Sequence, residues 1–327
     1  MVLVTGASGF LGGELVKKLV ANGESVRIIR RNNSDLAHLK SIIDKIEVKE
    51  ADILDVSALE DAFENIDQVY HTAAIISFNK QNIAQMYKTN IEGTANVVNV
   101  ALSSNLKKLI HISSIAAIGG KPNELITEET KWEDNEWTSN YGITKQMAER
   151  QIFRGIEEGL EATIINPGII VGIGHEENKS TLNLLNRISH QKMPFYTNGT
   201  NGFVDIDDVV NISIQLMQGN YNKEKFIAIS ENWSFKQYFE SIARALGVPA
   251  PKRALNTWTS SIFYNGDALL SFLNPNRKRS FTKENAKIAM EQFSYSNQKV
   301  KNALNYNFTP MQETIHKIVK KYQDGNK

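Results

Sequence analysis

Residues 2–12 read Val-Leu-Val-Thr-Gly-Ala-Ser-Gly-Phe-Leu-Gly, and this stretch decides the fold. Its first three residues are apolar and predict a short buried strand, and helically spaced apolar residues follow the glycines. Alone, the glycines would fit an ordinary tight turn. Strand, glycine turn and helix in this order predict a dinucleotide site, because glycine lets a pyrophosphate approach the backbone and a helix N-terminus offers N–H groups. The predicted contacts are Gly6, Ser8, Gly9, Phe10, Leu11 and Gly12.

Arginines follow the second predicted strand, residues 24–29. Arg30 and Arg31 stand about twenty residues beyond the glycines, where an Asp or Glu would hold the ribose 2′-hydroxyl of NAD. A guanidinium group instead attracts a 2′-phosphate and binds it in a fork. We therefore predict NADP(H) over NAD(H), with Arg27, Arg30 and Arg31 around the 2′-phosphate. The alternative is that these arginines form a solvated strand end.

The composition is that of an ordinary globular chain. Its 327 residues are 41% hydrophobic and 22% charged, so one large or two modest domains can form an ample core. A net charge of +1 gives no reason to expect nucleic acid or a membrane surface as partner. Without cysteine there are no disulfides or thiolate metal sites, and we predict no metal site. No apolar run has transmembrane length and no signal peptide fits before the first strand, so the expected location is cytoplasmic.

Strands and helices alternate over the first half of the chain. The further predicted strands are residues 46–49, 68–71, 109–112 and 162–165. This alternation predicts an α/β fold, a Rossmann doubly wound parallel sheet whose ligand lies at the carboxyl ends of the strands. We predict an NADP-binding Rossmann domain over residues 1–172, to which a segment near 203–217 returns. Residues 173–327, where the rhythm breaks, are predicted to form a smaller mixed C-terminal lobe that mainly binds substrate.

Two short stretches at strand ends complete the predicted cofactor site. Asp52 and Ile53 follow the third strand, where an adenine ring would lie, and Asp52 would accept a hydrogen bond from the adenine amino group. Asp52 would serve equally well as a simple cap or turn residue. Ala73 and Ala74 follow the fourth strand, and their small side chains would let the chain pass close to the cofactor.

Tyr141 and Lys145 form the most specific chemical motif, four residues apart on a predicted helix over residues 138–156. At this spacing both side chains lie on one helix face. A tyrosine pKa is near ~10, and a neighbouring ammonium lowers it by favouring the phenolate. Ser114, at the end of the fifth strand, would hold a substrate oxygen beside Tyr141, and Lys145 would also hydrogen-bond the nicotinamide ribose. The Tyr–Lys spacing is common by chance, so its weight comes from the strand-end serine and the glycine turn.

The order and spacing of these motifs resemble the extended short-chain dehydrogenases/reductases, the superfamily that also holds nucleotide-sugar epimerases and dehydratases. The matching motifs are Thr5-Gly-Ala-Ser-Gly-Phe-Leu-Gly12, Asp52-Ile53, His71-Thr-Ala-Ala74, Asn90-Ile-Glu-Gly-Thr94, Ser113-Ser114, Tyr141-Gly-Ile-Thr-Lys145 and Asn166-Pro-Gly168. Residues 26–31, 73–78, 86–90 and 112–118 look most like the dihydroflavonol-4-reductase-like branch.

The resemblance implies roles for particular residues. Ser114, Tyr141 and Lys145 would be the catalytic triad, and Asn90 would steady the lysine through water. The glycines of the turn and Asp52 would contact the cofactor, and Pro167 would lie beside the nicotinamide. Superfamily dimers often form through the helices that correspond to residues 83–102 and 139–156, and a homodimer of this chain would use the same pair.

The expected function is that of an NADP(H)-dependent oxidoreductase that reduces a ketone or aldehyde of a small organic substrate, or oxidises the alcohol. Two alternatives stay open: a nucleotide-sugar epimerase or dehydratase, and a non-catalytic NADP(H) sensor. Nucleotide-sugar enzymes tend to carry an arginine near residues 201–203 to grip a diphosphate, and this chain has Asn-Gly-Phe there. That departure weakens the epimerase alternative without eliminating it, because Arg253 or Arg277 would be able to substitute.

Overall fold

The computed structural model describes residues 1–77, 79–173, 179–255 and 287–325. The strands in these residues are β1 (Val2–Thr5), β2 (Val26–Arg30), β3 (Ile46–Glu50), β4 (Gln68–His71), β5 (Lys108–Ile112), β6 (Leu125–Ile126), β7 (Ala162–Pro167), β8 (Ile169–Val171), β9 (Phe195–Tyr196), β10 (Thr200–Asp205), β11 (Glu224–Ala228), β12 (Glu231–Ser234), β13 (Arg253–Ala254) and β14 (Ser294–Tyr295). The α-helices are α1 (Phe10–Ala21), α2 (Val56–Phe63), α3 (Ile83–Tyr87), α4 (Gly93–Ser103), α5 (Asn140–Glu157), α6 (Lys179–Ser189), α7 (Ile206–Gln218), α8 (Phe235–Leu246), α9 (Gln298–Leu304) and α10 (Met311–Gly325).

A seven-stranded sheet forms the centre of the fold, in the order β3-β2-β1-β4-β5-β7-β11. Every neighbouring pair in it is parallel. The chain starts at β1, winds outward to β3 and then crosses to β4 on the other side, so the direction of winding reverses between β1 and β4. The predicted Rossmann doubly wound α/β fold is confirmed.

The edge strand β11 was missed in the sequence analysis. It pairs in parallel with β7 and places Ile227 opposite Asn166. Only three of its residues, 226–228, are buried, and so short an apolar run does not distinguish a strand from a helix by periodicity. The preceding helix α7 packs against α1. The sheet thus takes one strand from beyond residue 172, and the division of the chain at that residue stays a prediction.

Helices cover both faces of the sheet. Leu19 of α1 and Val210 of α7 are buried in the core on one face. Val97 of α4 and Ile152 of α5 are buried in the core on the other. Strands enclosed on both faces read as continuous apolar runs, and β5 is buried along its whole length. Over the described ranges, no helix is both long and apolar enough to cross a membrane.

A smaller lobe has its own mixed sheet and core. Strand β10 pairs in parallel with β8 and antiparallel with β12. Phe203 of β10 and Trp233 of β12 are buried against Ile242 of α8 and Ile315 of α10. This mixed lobe agrees with the predicted architecture, and its sheet begins directly after β7.

The long helix predicted over residues 83–102 is interrupted. A π-helical turn spans Lys88–Glu92, between the end of α3 and the start of α4. Asn90 lies within this turn and is buried. Single π-helical turns inside α-helices are frequent at functional sites, and the extra residue in the turn changes which side chains face the sheet.

Candidate active site

The glycine turn brings the ends of β1 and β4 into close contact. Gly6 has a φ of +74°, and a Cβ there would lie 2.6 Å from the Ala73 backbone nitrogen. A Cβ on Gly12 would lie 2.3 Å from the Gly6 carbonyl oxygen. Gly9 precedes α1 as its N-cap and brings no side chain to that end of the helix. The turn is therefore a backbone cradle at the start of a helix, a geometry that suits a pyrophosphate.

A cleft opens beside this turn. The sequence-predicted residues that line it are Gly6, Ser8, Gly9, Arg30, Arg31, Asp52, Ile53, Ala73 and Ala74. Ser34 and Thr89 line it as well and were not predicted. Two predicted residues of the turn have other surroundings, since Leu11 packs against a hydrophobic core and the Phe10 ring lies close to Gly172. The structure brings most of the predicted set together, and its contact with a dinucleotide stays a prediction.

Arg27 requires a correction, because its side chain is committed elsewhere. It is 6% exposed. Its guanidinium donates to the carbonyl oxygens of Ala62 at 2.9 Å and Glu64 at 2.6 Å, and forms an ion pair with Glu47 at 2.9 Å. Successive side chains of a strand point to opposite faces, so Arg27, near the start of β2, holds the end of α2, while Arg30, at the end of the strand, lines the cleft.

Asp52 shows the turn role considered for it and also lines the cleft, while its contact with an adenine stays a prediction. Its carboxylate accepts a hydrogen bond from the Leu54 backbone N–H at 3.0 Å, which is a turn interaction. The same residue lines the cleft next to Ile53. A carboxylate has several acceptor positions, so the turn contact leaves capacity for a ligand amino group.

Ser114 and Tyr141 meet where α5 begins. Ser114 caps a short 3₁₀ helix, Ile115–Ala117, and its Oγ accepts the Ala116 N–H at 3.2 Å. Helix α5 lies directly against this turn, since a Cβ on Gly142 would be 2.7 Å from the Ala116 carbonyl oxygen. That close approach places the Tyr141 hydroxyl in a hydrogen bond with the Ser114 side chain.

The protonation of Tyr141 differs from the sequence expectation. Burial raises the pKa of its hydroxyl to about 12, and the hydrogen bond with Ser114 opposes part of that rise. Burial and the hydrogen bond with Ser114 thus set this pKa, and the lowering expected from the Lys145 ammonium is not among its causes. Tyr141 is a protonated phenol at neutral pH.

Lys145 is almost completely buried, at 2% exposure. Its Nζ donates to the Ile112 carbonyl oxygen at 2.8 Å, at the end of β5, and lies 3.4 Å from His111 Nε2. Burial lowers the pKa of this amine to about 8, and the charge of Glu149 opposes the shift. The lysine one helical turn beyond Tyr141 is thus charged at neutral pH but close to its titration range.

Two neutral histidines lie behind the lysine. His71 hydrogen-bonds Thr5 Oγ1 at 2.8 Å and Thr94 Oγ1 at 3.0 Å, and its ring centroid is 5.2 Å from that of His111. Burial lowers the pKa of His71 to about 3 and holds that of His111 well below its usual range. Both histidines are therefore packed in the interior as uncharged rings. His111 was not singled out in the sequence, where one histidine in an apolar strand is indistinguishable from a core residue.

Asn90 joins the π-helical turn to helix α5. Its Oδ1 accepts the Ile75 N–H at 2.7 Å, and its Nδ2 donates to the Ile75 carbonyl oxygen and to Thr144 Oγ1, each at 3.0 Å. Thr144 precedes Lys145 on α5. The structure therefore places Asn90 against the helix that carries Tyr141 and Lys145, and the water-mediated link to Lys145 stays a prediction.

Glu149 is a buried carboxylate that sequence reasoning missed. Ser113 Oγ and Asn166 Nδ2 each donate to its Oε1 at 2.5 Å. Asn166 Nδ2 also donates to the Ser114 carbonyl oxygen at 2.9 Å. Burial raises the pKa of Glu149. A usable signal was present in the sequence, because this glutamate follows Lys145 by four residues and so lies on the helix face that enters the core.

A second cavity is lined by residues that directly follow Ser114 and by residues that shortly precede Tyr141. Its lining combines apolar and uncharged polar side chains: Ile115, Ala116, Gly119, Gly120, Asn135, Trp137, Thr138, Ser139, Asn201, Ile288, Phe293 and Tyr295. Trp137 comes from the acidic loop that precedes α5, whereas the carboxylates of Glu133, Asp134 and Glu136 in that loop are exposed. The loop therefore supplies a wall to the cavity and an acidic surface to solvent.

Pro167 closes β7 and is buried. Its neighbour Asn166 donates to the Ser114 carbonyl oxygen, so this strand end adjoins Ser114. The proposed position of Pro167 beside a nicotinamide stays a prediction. Arg253 lies in β13 and lines a separate pocket with Pro194 and Pro249. Arg277 lies outside the described residues.

Comparison with known proteins adds a family match. A model described as "NAD dependent epimerase/dehydratase family" matches residues 2–229. The chain is 29% identical to "Sterol demethylase protein B" of Methylococcus capsulatus, over 77% of this chain and 76% of that protein. It is 27% identical to "Cinnamoyl-CoA reductase 1" of Petunia hybrida (99% and 92% covered) and 26% identical to "Putative dihydroflavonol 4-reductase" of Synechocystis (80% and 76%). The crystal structure of gox2253 superposes with a TM-score of 0.84, at 25% identity and 99% and 98% coverage.

Proposed function

Since the chain belongs to the NAD dependent epimerase/dehydratase family, as an NAD(P)-dependent extended short-chain dehydrogenase/reductase, we propose that it reduces a ketone or aldehyde of a small organic substrate with NADPH. The membership confirms the resemblance read from the sequence, including its dihydroflavonol reductase-like relatives. Reductases and epimerases both occur among the names that the comparisons return. The choice between them, and the choice of NADP(H), rests on the geometry of this chain.

The hydrogen bond between Tyr141 and Ser114 carries the proposal. A carbonyl reductase needs a proton donor that is protonated at neutral pH, and a phenol with a pKa of about 12 meets that requirement. The Ser114 hydroxyl lies against the phenol, so both groups are able to donate to one carbonyl oxygen. Positioned acid catalysis of this kind contributes about 10²- to 10⁴-fold to the rate.

The reaction divides between the cofactor and the chain. When bound, NADPH supplies the hydride for the carbonyl carbon. Ser114 orients the substrate oxygen and Tyr141 donates its proton to that oxygen. Lys145, with a pKa of about 8, is charged at neutral pH and offsets the negative charge that then develops on Tyr141.

The cleft beside the glycine turn fits a dinucleotide with a 2′-phosphate. Glycine at positions 6 and 12 lets the turn pack tightly against itself and against the end of β4, and Gly9 leaves bare backbone at the start of α1, where a pyrophosphate would come near. Arg30, Arg31 and Ser34 line the same cleft, and two guanidinium groups with a hydroxyl suit a phosphate dianion. These contacts support NADP(H) over NAD(H).

The absence of charged residues from the described lining of the second cavity favours a neutral carbonyl compound over a nucleotide sugar as the substrate. A substrate diphosphate needs a cationic partner, and the described residues that line this cavity include no Lys or Arg. Asn201 stands there instead. Phe293 and Tyr295 also line it, which supports the proposal that the segment beyond residue 172 binds substrate. Formation of a homodimer through α4 and α5 is a separate prediction.

Consumption of NADPH against a carbonyl panel tests the proposed function. We expect NADPH oxidation with at least one compound among aldehydes, ketosteroids and flavonoid ketones, and a lower KM for NADPH than for NADH. An epimerase would purify with bound nucleotide and interconvert sugar nucleotides without net consumption. A sensor would bind NADPH without turnover. Either of these results would contradict the proposal.

A further inference from the structure

We propose that Glu149 is a positioning residue for the reaction, a buried carboxylate that holds Ser114 at hydrogen-bonding distance from Tyr141. The kinetic part of this inference rests on the proposed reductase function. Glu149 connects helix α5 to the ends of two strands of the sheet.

Glu149 links β5 and β7 through one oxygen atom. Ser113, directly after β5, and Asn166, in β7, both donate to its Oε1. Asn166 also donates to the Ser114 carbonyl oxygen. Ser114 is therefore held from two sides, by its covalent neighbour and by its own carbonyl group, and both connections lead to the same carboxylate.

The helix connects this junction to the phenol. Tyr141, Lys145 and Glu149 follow one another at intervals of four on α5, so their side chains share a helix face. The Tyr141–Ser114 hydrogen bond crosses between α5 and the end of β5. Any movement of α5 relative to β5 changes that contact, and the Glu149–Ser113 bond joins the same two elements two helical turns further along.

Burial makes the hydrogen bonds of Glu149 with Ser113 and Asn166 hard to replace. Glu149 is 4% exposed and Asn166 is fully buried, so water does not replace a lost contact. Removing the acceptor leaves a serine hydroxyl and an asparagine amide without their partner in the interior, a situation that native proteins avoid. The strand ends are then expected to shift until other acceptors are found.

A purely structural carboxylate would have a different signature, and Asp208 provides the matched control. Asp208 is 3% exposed and accepts hydrogen bonds from Tyr306 Oη at 2.9 Å and from Thr309 N at 2.9 Å. Its partners belong to the segment between α9 and α10. Asp208→Leu removes a carboxylate of similar burial and should lower the melting temperature without changing kcat per folded, NADPH-binding molecule.

A double-mutant cycle on kcat separates positioning from stability. Glu149→Leu is expected to lower kcat by about 10²-fold at an unchanged Kd for NADPH, the size expected for a misplaced reacting group. Glu149→Gln keeps an acceptor oxygen and should stay within about threefold of the parent. In the Ser114→Ala background, Glu149→Leu should change kcat by less than about threefold, because groups that act through one another are not additive. Additive losses, or an unchanged kcat in Glu149→Leu, would overturn the inference.

A thiol probe tests the same inference without any turnover. The chain has no cysteine, so Ser114→Cys creates a single thiol at the position in question. Adding Glu149→Leu should change its rate of alkylation by iodoacetamide by about tenfold, since reactivity follows access and local hydrogen bonding. Glu149→Gln and Asp208→Leu should leave that rate unchanged. Equal rates in all four proteins would overturn the positioning role, whereas failure of every carbonyl compound would count against the reductase function alone.

Discussion

The two ends of the candidate site, the cleft beside the glycine turn and the region where α5 begins, are built by different means. The end beside the glycine turn consists of backbone, small side chains and the partly or fully exposed cations Arg30 and Arg31. The end beside α5 consists of buried titratable groups, Lys145 and Glu149, whose pKa values are shifted by burial. The first arrangement suits binding, because exposed charges attract a ligand at little desolvation cost. The second arrangement suits catalysis, because electrostatic interactions between charged groups are stronger in a site of low dielectric constant.

Tyr141→Phe has the largest expected effect on activity, because it removes the proposed proton donor. We expect kcat to fall by about 10²- to 10⁴-fold, because the proton donor is lost. The Kd for NADPH, measured by fluorescence titration, should stay within about twofold, since Tyr141 does not line the cleft beside the glycine turn. Tyr221→Phe, which removes a hydroxyl bonded to the Ala303 carbonyl oxygen at 2.6 Å, is the control and should keep full turnover.

The double substitution Arg30→Ser, Arg31→Ser tests the binding end. We expect the KM for NADPH to rise about 10- to 100-fold, the range of one or two lost charge-assisted hydrogen bonds. The KM for NADH should change little because NADH has no 2′-phosphate, and kcat should be retained. A parallel rise for both cofactors would show that these arginines act on the fold instead.

The pH dependence of kcat distinguishes the lysine from the tyrosine. With pKa values of about 8 for Lys145 and about 12 for Tyr141, the amine loses its proton first. Carbonyl reduction should therefore decline about tenfold per pH unit above pH 8. In Lys145→Arg this decline of kcat should move to a pH above the range that can be measured, because a guanidinium group stays charged. A limb near pH 10 in the parent protein would contradict the assignment.

The same lysine has a signature in stability. Its folded pKa lies below the ordinary 10.5, so between about pH 8 and 10.5 the unfolded chain binds more protons than the folded one. Its contribution to the free energy of unfolding therefore rises with pH across that window. Urea unfolding of the parent and of Lys145→Met should diverge there, with the steeper increase in the parent.

Arg27→Leu has the smallest expected effect on activity. It tests whether Arg27 stabilises the fold while Arg30 and Arg31 bind the cofactor. Loss of its bonds to Ala62, Glu64 and Glu47 should lower the free energy of unfolding by about 1–3 kcal/mol, as expected for buried acceptors left unpaired. The ratio of KM values for NADPH and NADH should not change. A shift in that ratio would return Arg27 to the cofactor site.

Sequence reasoning succeeded where the chemistry is local. The glycine turn, the Tyr141–Lys145 interval and the strand ends are short patterns, and with the alternation of strands and helices they were sufficient to predict six of the seven strands of the sheet and most of the named cleft residues. It failed where the role of a residue depends on the direction in which its side chain points or on partners that are distant in sequence. Arg27 and Arg30 differ only in which way strand β2 points each side chain, and Glu149 is meaningful only once β5 and β7 bring Ser113 and Asn166 to it. The π-helical turn at Asn90 likewise interrupts a pattern that reads as one continuous helix.

Hydride tracing tests the central claim most directly. The parent protein and Tyr141→Phe would be incubated with a carbonyl substrate from the panel and NADPH deuterated at both C4 positions, and the product analysed by mass spectrometry. The account predicts a single deuterium on the carbinol carbon of the alcohol formed by the parent, and almost no alcohol from Tyr141→Phe. Bound NADPH that transfers no label to any carbonyl compound, or equal transfer by the two proteins, would contradict it.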